Sequence, residues 1–283
     1  MTSASQFSSS AHPLDEALVL QSTSTVGQYE GATHPGYWNM VGPFGGITAA
    51  TLLQAVMQHP DRLGEPLSLT VNYAGALAAG PFTVQAVPVR TNRSTQHWTL
   101  SILQADAEGV PVVTTTATAV TAVRRETWSV GDVPMPVVPP PSEHKALVVP
   151  GGAVEWLNRY EMRPIAGFIP RTWDGSGDHS LTQLWMRDVP ERPLDFCALT
   201  ALADVFFPRV WLRRARQVPA GTVSITVYFH ASAAQLQETG TGYLLGQARG
   251  QEFRNGFFDQ TAQLWNEAGT MLATSHQIVY YKE

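Results

Sequence analysis

Asp204 is the residue of this sequence best placed to do chemistry. It is the only charged side chain between Asp195 and Arg209, within the apolar run Phe196-Cys-Ala-Leu-Thr-Ala-Leu-Ala-Asp-Val-Phe-Phe207. A carboxylate there is costly unless paired or hydrogen-bonded, and a carboxylate perturbed by burial is a candidate for taking a proton from water. A helix-end aspartate emerging into solvent near Pro208, or one pairing with Arg209, fits the spacing as well. Thr222, Ser224 and Thr226 alternate along a strand-like segment and share one face, so any of them is able to supply a hydroxyl. Gln277 stands on a small, apolar face with Ala273, Ser275 and Val279. Gly45 and Gly46 open a helix, where they permit close approach to backbone N–H donors, although a helix-start turn explains them equally well. Arg90 with Arg93, and Arg249 with Arg254, occupy equivalent places after long strands; arginine suits phosphate, and a hairpin surface is the commoner home for it.

These residues need elements to hold them, and the chain carries those elements twice. Leu67-Ser-Leu-Thr-Val-Asn-Tyr73 matches Val223-Ser-Ile-Thr-Val-Tyr-Phe229 position by position. Further on, Ser101–Gly109 matches Thr261–Gly269, and each match ends in a turn followed by a β-rich closing strand, Val112–Thr121 and Met271–Tyr281. Period-two alternation with threonine, valine and aromatics marks these segments as strands. Ahead of them lie two apolar segments, Gly45–Met57 and Asp195–Phe207, each expected as a helix of three turns stopped by Pro60 and Pro208. Helices apolar nearly all round are enclosed by other structure. One buried helix wrapped by an antiparallel sheet, present twice, predicts an α+β double hotdog. Its parts are an N-terminal module over 14–124, a proline-rich linker over 125–152 and a C-terminal module over 153–283.

Composition narrows the function classes. The 283 residues are 44% hydrophobic and 14% charged, with a formal charge of −5, which gives no basic footprint for nucleic acid. Cys197, the single cysteine, excludes an internal disulfide and a cysteine-cluster metal site, and its apolar surroundings read as an inert thiol. The histidines are dispersed without ligand spacing, and no metal or cofactor is expected. No Gly-x-Ser-x-Gly elbow, Walker loop or His-Glu-x-x-His is present. No apolar run reaches the length of a membrane span, the first 12 residues lack a signal-peptide pattern, and a cytoplasmic setting is the default expectation.

The order of segments resembles the acyl-CoA thioesterase II (TesB-like) family. Phe44-Gly45-Gly46 matches that family's Phe-Gly-Gly at the first helix, and Asp204 its aspartate late in the second. Thr222-Val-Ser-Ile-Thr-Val-Tyr-Phe-His230 matches its Thr/Ser-x-Asp-His-x-x-Trp-Phe-His strand, with Ser224-Ile225 in place of Asp-His and Tyr228 in place of Trp. Leu272-Ala-Thr-Ser-His-Gln277 matches its final strand. The resemblance covers about 25–124 and 190–281 and implies hydrolysis of an acyl-CoA by a water activated by Asp204. Thr222, with Thr226 second, and Gln277 would orient that water. Phe44, Gly45, Gly46, Arg90 and Arg93 would meet the substrate, and the chain would form a homo-oligomer; aromatics such as Tyr37, Trp38, Phe44, Trp98, Phe206 and Phe207 would line an acyl tunnel, although packing in the core explains them as well. A non-catalytic acyl-CoA or lipid binder, and a thioesterase acting on carrier-bound acyl chains, remain open beside it.

Overall fold

The computed structural model describes residues 11–149 and 154–283. The first module runs α1 (Pro13–Ala17), β1 (Gln21–Ser22), β2 (Gln28–Ala32), α2 (Gly45–Met57), β3 (Glu65–Tyr73), β4 (Pro81–Thr91), β5 (Thr95–Ala105) and β6 (Pro111–Ala122). The second runs β7 (Tyr160–Ala166), β8 (Thr182–Asp188), α3 (Phe196–Leu202), α4 (Arg209–Arg214), β9 (Ala220–Phe229), α5 (Ala233–Thr239), β10 (Leu244–Arg249), β11 (Phe253–Arg254), β12 (Phe257–Asn266) and β13 (Met271–Tyr281).

The strands form one sheet in the order β1-β2-β4-β5-β6-β3-β9-β13-β12-β10-β8-β7, with β11 paired to β12. Read outward from the β3–β9 junction, each half presents its elements in the same succession. The junction is antiparallel, with Thr70 opposite Thr226, Ser68 opposite Tyr228 and Asn72 opposite Ser224. Thr70 and Thr226 are the same position in the matching segments, so a pseudo-two-fold axis passes between them. Edge-to-edge pairing removes the β3 and β9 edges from solvent. The protein is a double hotdog.

Ala, Leu and Gln carry α2 through its full expected length, and it ends before Pro60, whose missing N–H and ring forbid continuation. Ala49, Ala50, Leu52, Leu53 and Ala55 along it are wholly inaccessible. The second helix departs from expectation. Asp195 caps it by accepting from the Ala198 N–H at 2.8 Å, but α3 stops at Leu202. Val205, Phe206 and Phe207 are weak helix formers, and the residue before Pro208 is pushed out of the helical region. Asp204 therefore sits in a turn beyond the helix, and a separate short helix, α4, follows Pro208.

The helices α2 and α3 cross closely because Gly46 has no side chain; a Cβ there would lie 2.7 Å from the Ala201 carbonyl oxygen. The proline-rich segment lies across the outer face of the second half-sheet, where the Trp185 indole N–H donates to the Pro139 carbonyl at 2.9 Å. Residues 150–152 of the expected linker, and residue 153, lie outside the described residues.

Candidate active site

Asp204 is 9% exposed, and its backbone N–H donates to the Ala201 carbonyl at 3.1 Å. Its carboxylate meets the start of α2, where Phe44 provides no side-chain cap, and it accepts the backbone N–H of Gly46. A helix N-terminus with free N–H groups favours an anion. The Gln277 amide Nε2 donates to Asp204 Oδ1 at 2.8 Å, and the Thr222 hydroxyl donates to Gln277 Oε1 at 3.3 Å. That second bond fixes which end of the amide faces the aspartate. The Tyr73 hydroxyl donates to the Gly45 carbonyl at 2.8 Å and closes another side. Burial pushes the Asp204 carboxyl up to about 7, against the opposing pull of the Gln277 and Gly46 hydrogen bonds. The group is thus able to take up and release a proton near neutrality.

Arg209 is not the partner of Asp204. It is fully buried and donates to the carbonyls of Phe207 at 3.0 Å and Ser180 at 3.2 Å. Burial without a carboxylate lowers it to about 9.

Of the three strand hydroxyls expected on one face, only Thr222 reaches the site. In the β9–β13 pairing Ile278 lies opposite Ser224 but Val279 lies opposite Thr222, so Val223 is an extra residue. This bulge turns Thr222 inward. Thr226 faces the outside, with its hydroxyl 3.0 Å from that of Thr70, and lies away from Asp204 and Gln277.

Arg90 and Arg93 are also displaced. Their hairpin lies at the far end of α2: Gln96 just beyond it bonds to the Asp61 carbonyl at 3.0 Å and to the Leu63 N–H at 2.8 Å. Asp204 sits at the other end of this 13-residue helix, about 20 Å long. Arg90 Nε donates to Asn92 Oδ1 at 3.1 Å. Arg249 instead borders a surface cavity of about 650 Å³ with Arg213, Arg214 and His179, while Arg254 pairs with Glu252 at 3.0 Å.

The expected aromatics divide in the same way. Phe44 stacks on Trp156 at 4.3 Å and meets Tyr160 edge-on at 6.1 Å, and Tyr37 lies 6.4 Å from Tyr160. Trp98 packs against His59 at the distant end of α2. Phe206 fills the space above Gly246, Phe207 lies against Phe168, and Trp38 forms an isolated bridge with Pro43. Cys197 is buried, its thiol pushed up by burial.

Tyr73, Trp156 and Tyr160 also pack against this helix start, and no spacing in the sequence singles them out.

Family models match the two halves in order: an acyl-CoA thioesterase N-terminal domain over residues 34–122 and an acyl-CoA thioesterase C-terminal domain over residues 133–281. The chain belongs to the acyl-CoA thioesterase family. It is accordingly an enzyme of the thioester hydrolase class. A hot dog fold protein of unknown function from Alicyclobacillus acidocaldarius is 47% identical and superposes with a TM-score of 0.90, over 97% of this chain and 99% of that one. A putative thioesterase II from Thermobifida fusca is 18% identical, with a TM-score of 0.78 over 95% and 97% of the two chains. An acyl-CoA thioesterase II from Mycobacterium marinum is 18% identical, with a TM-score of 0.74 over 95% and 98%. No curated protein matches the chain by sequence. Among the described residues no helix is long and apolar enough to cross a membrane, and no three His, Cys, Asp or Glu side chains gather as metal ligands.

Proposed function

We propose that the protein hydrolyses an acyl-CoA to the free acid and coenzyme A through a water activated by Asp204. The observation that carries this reading is the hydrogen-bonded chain Thr222–Gln277–Asp204, ending on a buried carboxyl near neutrality at an uncapped helix start. Asp204 acts as the base, while Gln277 and Thr222 hold the amide that orients it and the water. First-turn N–H groups of α2 not taken by Asp204 polarise the thioester carbonyl. Phe44, Gly45 and Gly46 form the wall against which the thioester lies, and Gly45 has to be glycine, because a Cβ would lie 2.8 Å from Asp204 Oδ2.

The strands β6, β3, β9 and β13 contain one charged residue among them, Glu65. Charge depletion marks interface cores, so this face supports a homo-oligomer, which sedimentation would read directly.

The test offers purified protein acyl-CoAs from acetyl to palmitoyl, and matching carrier-bound chains, and follows released thiol. The expected result is turnover of at least one acyl-CoA that falls at least a hundredfold in Asp204→Asn. Wild-type turnover by that variant rejects the mechanism. Activity confined to carrier-bound thioesters rejects coenzyme A as the natural thiol carrier.

A further inference from the structure

A water that attacks a carbonyl needs more than a base. One of its protons faces the base, a lone pair faces the carbonyl carbon, and the second proton needs an acceptor of its own to stop the molecule turning about the first bond. Gln277 and Thr222 do not supply that acceptor. The Gln277 Nε2 that reaches Asp204 Oδ1 is a donor, and the Gln277 Oε1 already accepts from the Thr222 hydroxyl.

The oxygen able to hold the second proton belongs to Tyr73. Its hydroxyl gives its single proton to the Gly45 carbonyl at 2.8 Å, so what it offers any further neighbour is a lone pair. Burial, with the Asp204 charge adding to it, pushes this phenol above its ordinary range, and the proton stays in place. A Cβ on Gly45 would lie 2.8 Å from Asp204 Oδ2 and 3.2 Å from the Tyr73 hydroxyl. Glycine thus leaves a notch flanked by both oxygens, which by those distances stand at most about 6 Å apart. Two O–H···O bonds of ordinary length span that separation, so one water reaches both. Gly45 and Tyr73 are each partly exposed, and the notch is open to solvent.

The repeat shows the same place in a different form. In the matched strands Tyr73 corresponds to Phe229, and Gly45, the first residue of α2, corresponds to Phe196, the first residue of α3. The Phe196 and Phe229 rings pack edge to face at 5.7 Å, and both side chains are buried. Hydroxyl and notch are therefore replaced together, at the crossing where Cys197 and Gln54 meet without an acid. Anchoring a helix start accounts for a hydroxyl but not for an open notch beside it. Holding a water accounts for both.

We propose that Tyr73 is a catalytic residue whose hydroxyl oxygen accepts the second hydrogen of the attacking water, held in the Gly45 notch with its first hydrogen on Asp204 Oδ2. The water oxygen bonds to the carbonyl carbon as the first proton passes to Asp204. The C–S bond then breaks, and the departing sulfur takes that proton to leave as the thiol. The proton held by Tyr73 stays with the new acid, so Tyr73 and Asp204 both end as they began. This inference rests on Asp204 being the base, and its test keeps the two claims apart.

The first measurement needs no turnover. A high-resolution crystal structure of the wild-type protein is expected to hold a water within hydrogen-bond distance of both Asp204 Oδ2 and the Tyr73 hydroxyl. The Tyr73→Phe structure is expected to lose that water while α2 and Gln277 stay where they are. No water in the wild-type notch, or one that touches Asp204 alone, overturns the proposal whatever Asp204 does in catalysis. The second measurement is kinetic, on the best substrate of the acyl-CoA series. Tyr73→Phe is expected to lower kcat about tenfold or more with KM within about twofold of wild type. A loss that appears in KM instead, or that comes with a shifted α2 start, reduces Tyr73 to a helix anchor and overturns the proposal. Gly45→Ala closes the notch with the phenol in place, is expected to lose at least as much kcat, and serves if Tyr73→Phe fails to fold. Wild-type kcat in either variant while Asp204→Asn is inactive overturns the role of Tyr73 and leaves that of Asp204 standing. Wild-type kcat in Asp204→Asn rejects the base itself, on which the proposal rests.

Discussion

Asp204 is held by two hydrogen-bond partners in a dry surrounding. Gly46 and Gln277 stabilise its charge, while burial opposes it, and the balance leaves the carboxyl near 7. The sign of the pH dependence follows: the raised value means the base form is scarce in acid and accumulates as pH rises through 7. We expect kcat/KM to fall about tenfold per pH unit below 7 and to be flat above it, checked by initial rates from pH 5 to 9. A profile flat down to pH 5 would show that a different group is titrating. Thr222 and Thr226 make a sharper contrast, because they are the same residue type four positions apart on β9. The Thr222 hydroxyl sets the Gln277 amide at 3.3 Å, whereas that of Thr226 meets Thr70 outside. Thr222→Val should cost about tenfold in kcat/KM through a misoriented amide, and Thr226→Val should leave it within about twofold. Equal effects from the two would remove Thr222 from the mechanism.

At the scale of elements, the site exists because the end of α3 meets the start of α2. Gly46 permits that meeting, since a Cβ would lie 2.7 Å from the backbone oxygen of Ala201, an atom that yields only if a helix moves. Gly46→Ala should destabilise the fold by about 1–3 kcal/mol, seen as a lower midpoint in chemical denaturation, and should weaken activity by moving the N–H that Asp204 accepts. Unchanged stability would mean that the helices part without cost. The helix α2 was legible in the sequence because nothing inside it opposes helix and proline marks its end. The end of α3 was not, because apolar character continues through Phe207 while the backbone preference for helix fades at Val205. The inward face of Thr222 was hidden for another reason. Alternation assumes a regular strand, and the bulge at Val223 is set by pairing with β13, a partner far along the chain. Gln277 lies outside the bulge, so alternation placed it correctly on the buried face.

The whole molecule is a repeat whose halves have diverged. Both carry the bulge: Pro66 and Ser68 pair with Thr121 and Val120 just as Thr222 and Ser224 pair with Val279 and Ile278. Register then sets Pro66 against Thr222, and Ala119 against Gln277, since Leu69 faces Ala119 where Ile225 faces Gln277. At the other crossing of the two helices, the Cys197 thiol meets Gln54 Oε1 at 3.4 Å in place of a carboxylate on a helix start. There α3 is capped by its own Asp195, which accepts the Ala198 N–H, whereas the first turn of α2 has no side-chain cap. The first half thus has the frame of the site without its hydroxyl, amide or acid. It contributes instead the N-terminus of α2, so each half supplies one side of a single site. Calorimetric titration with a non-hydrolysable acyl-CoA analogue should give one molecule bound per chain, and Gln54→Leu should leave kcat/KM within about twofold of wild type. Two molecules per chain would show that the second crossing still binds substrate after losing its acid, and the duplication would then have kept two sites rather than specialised one.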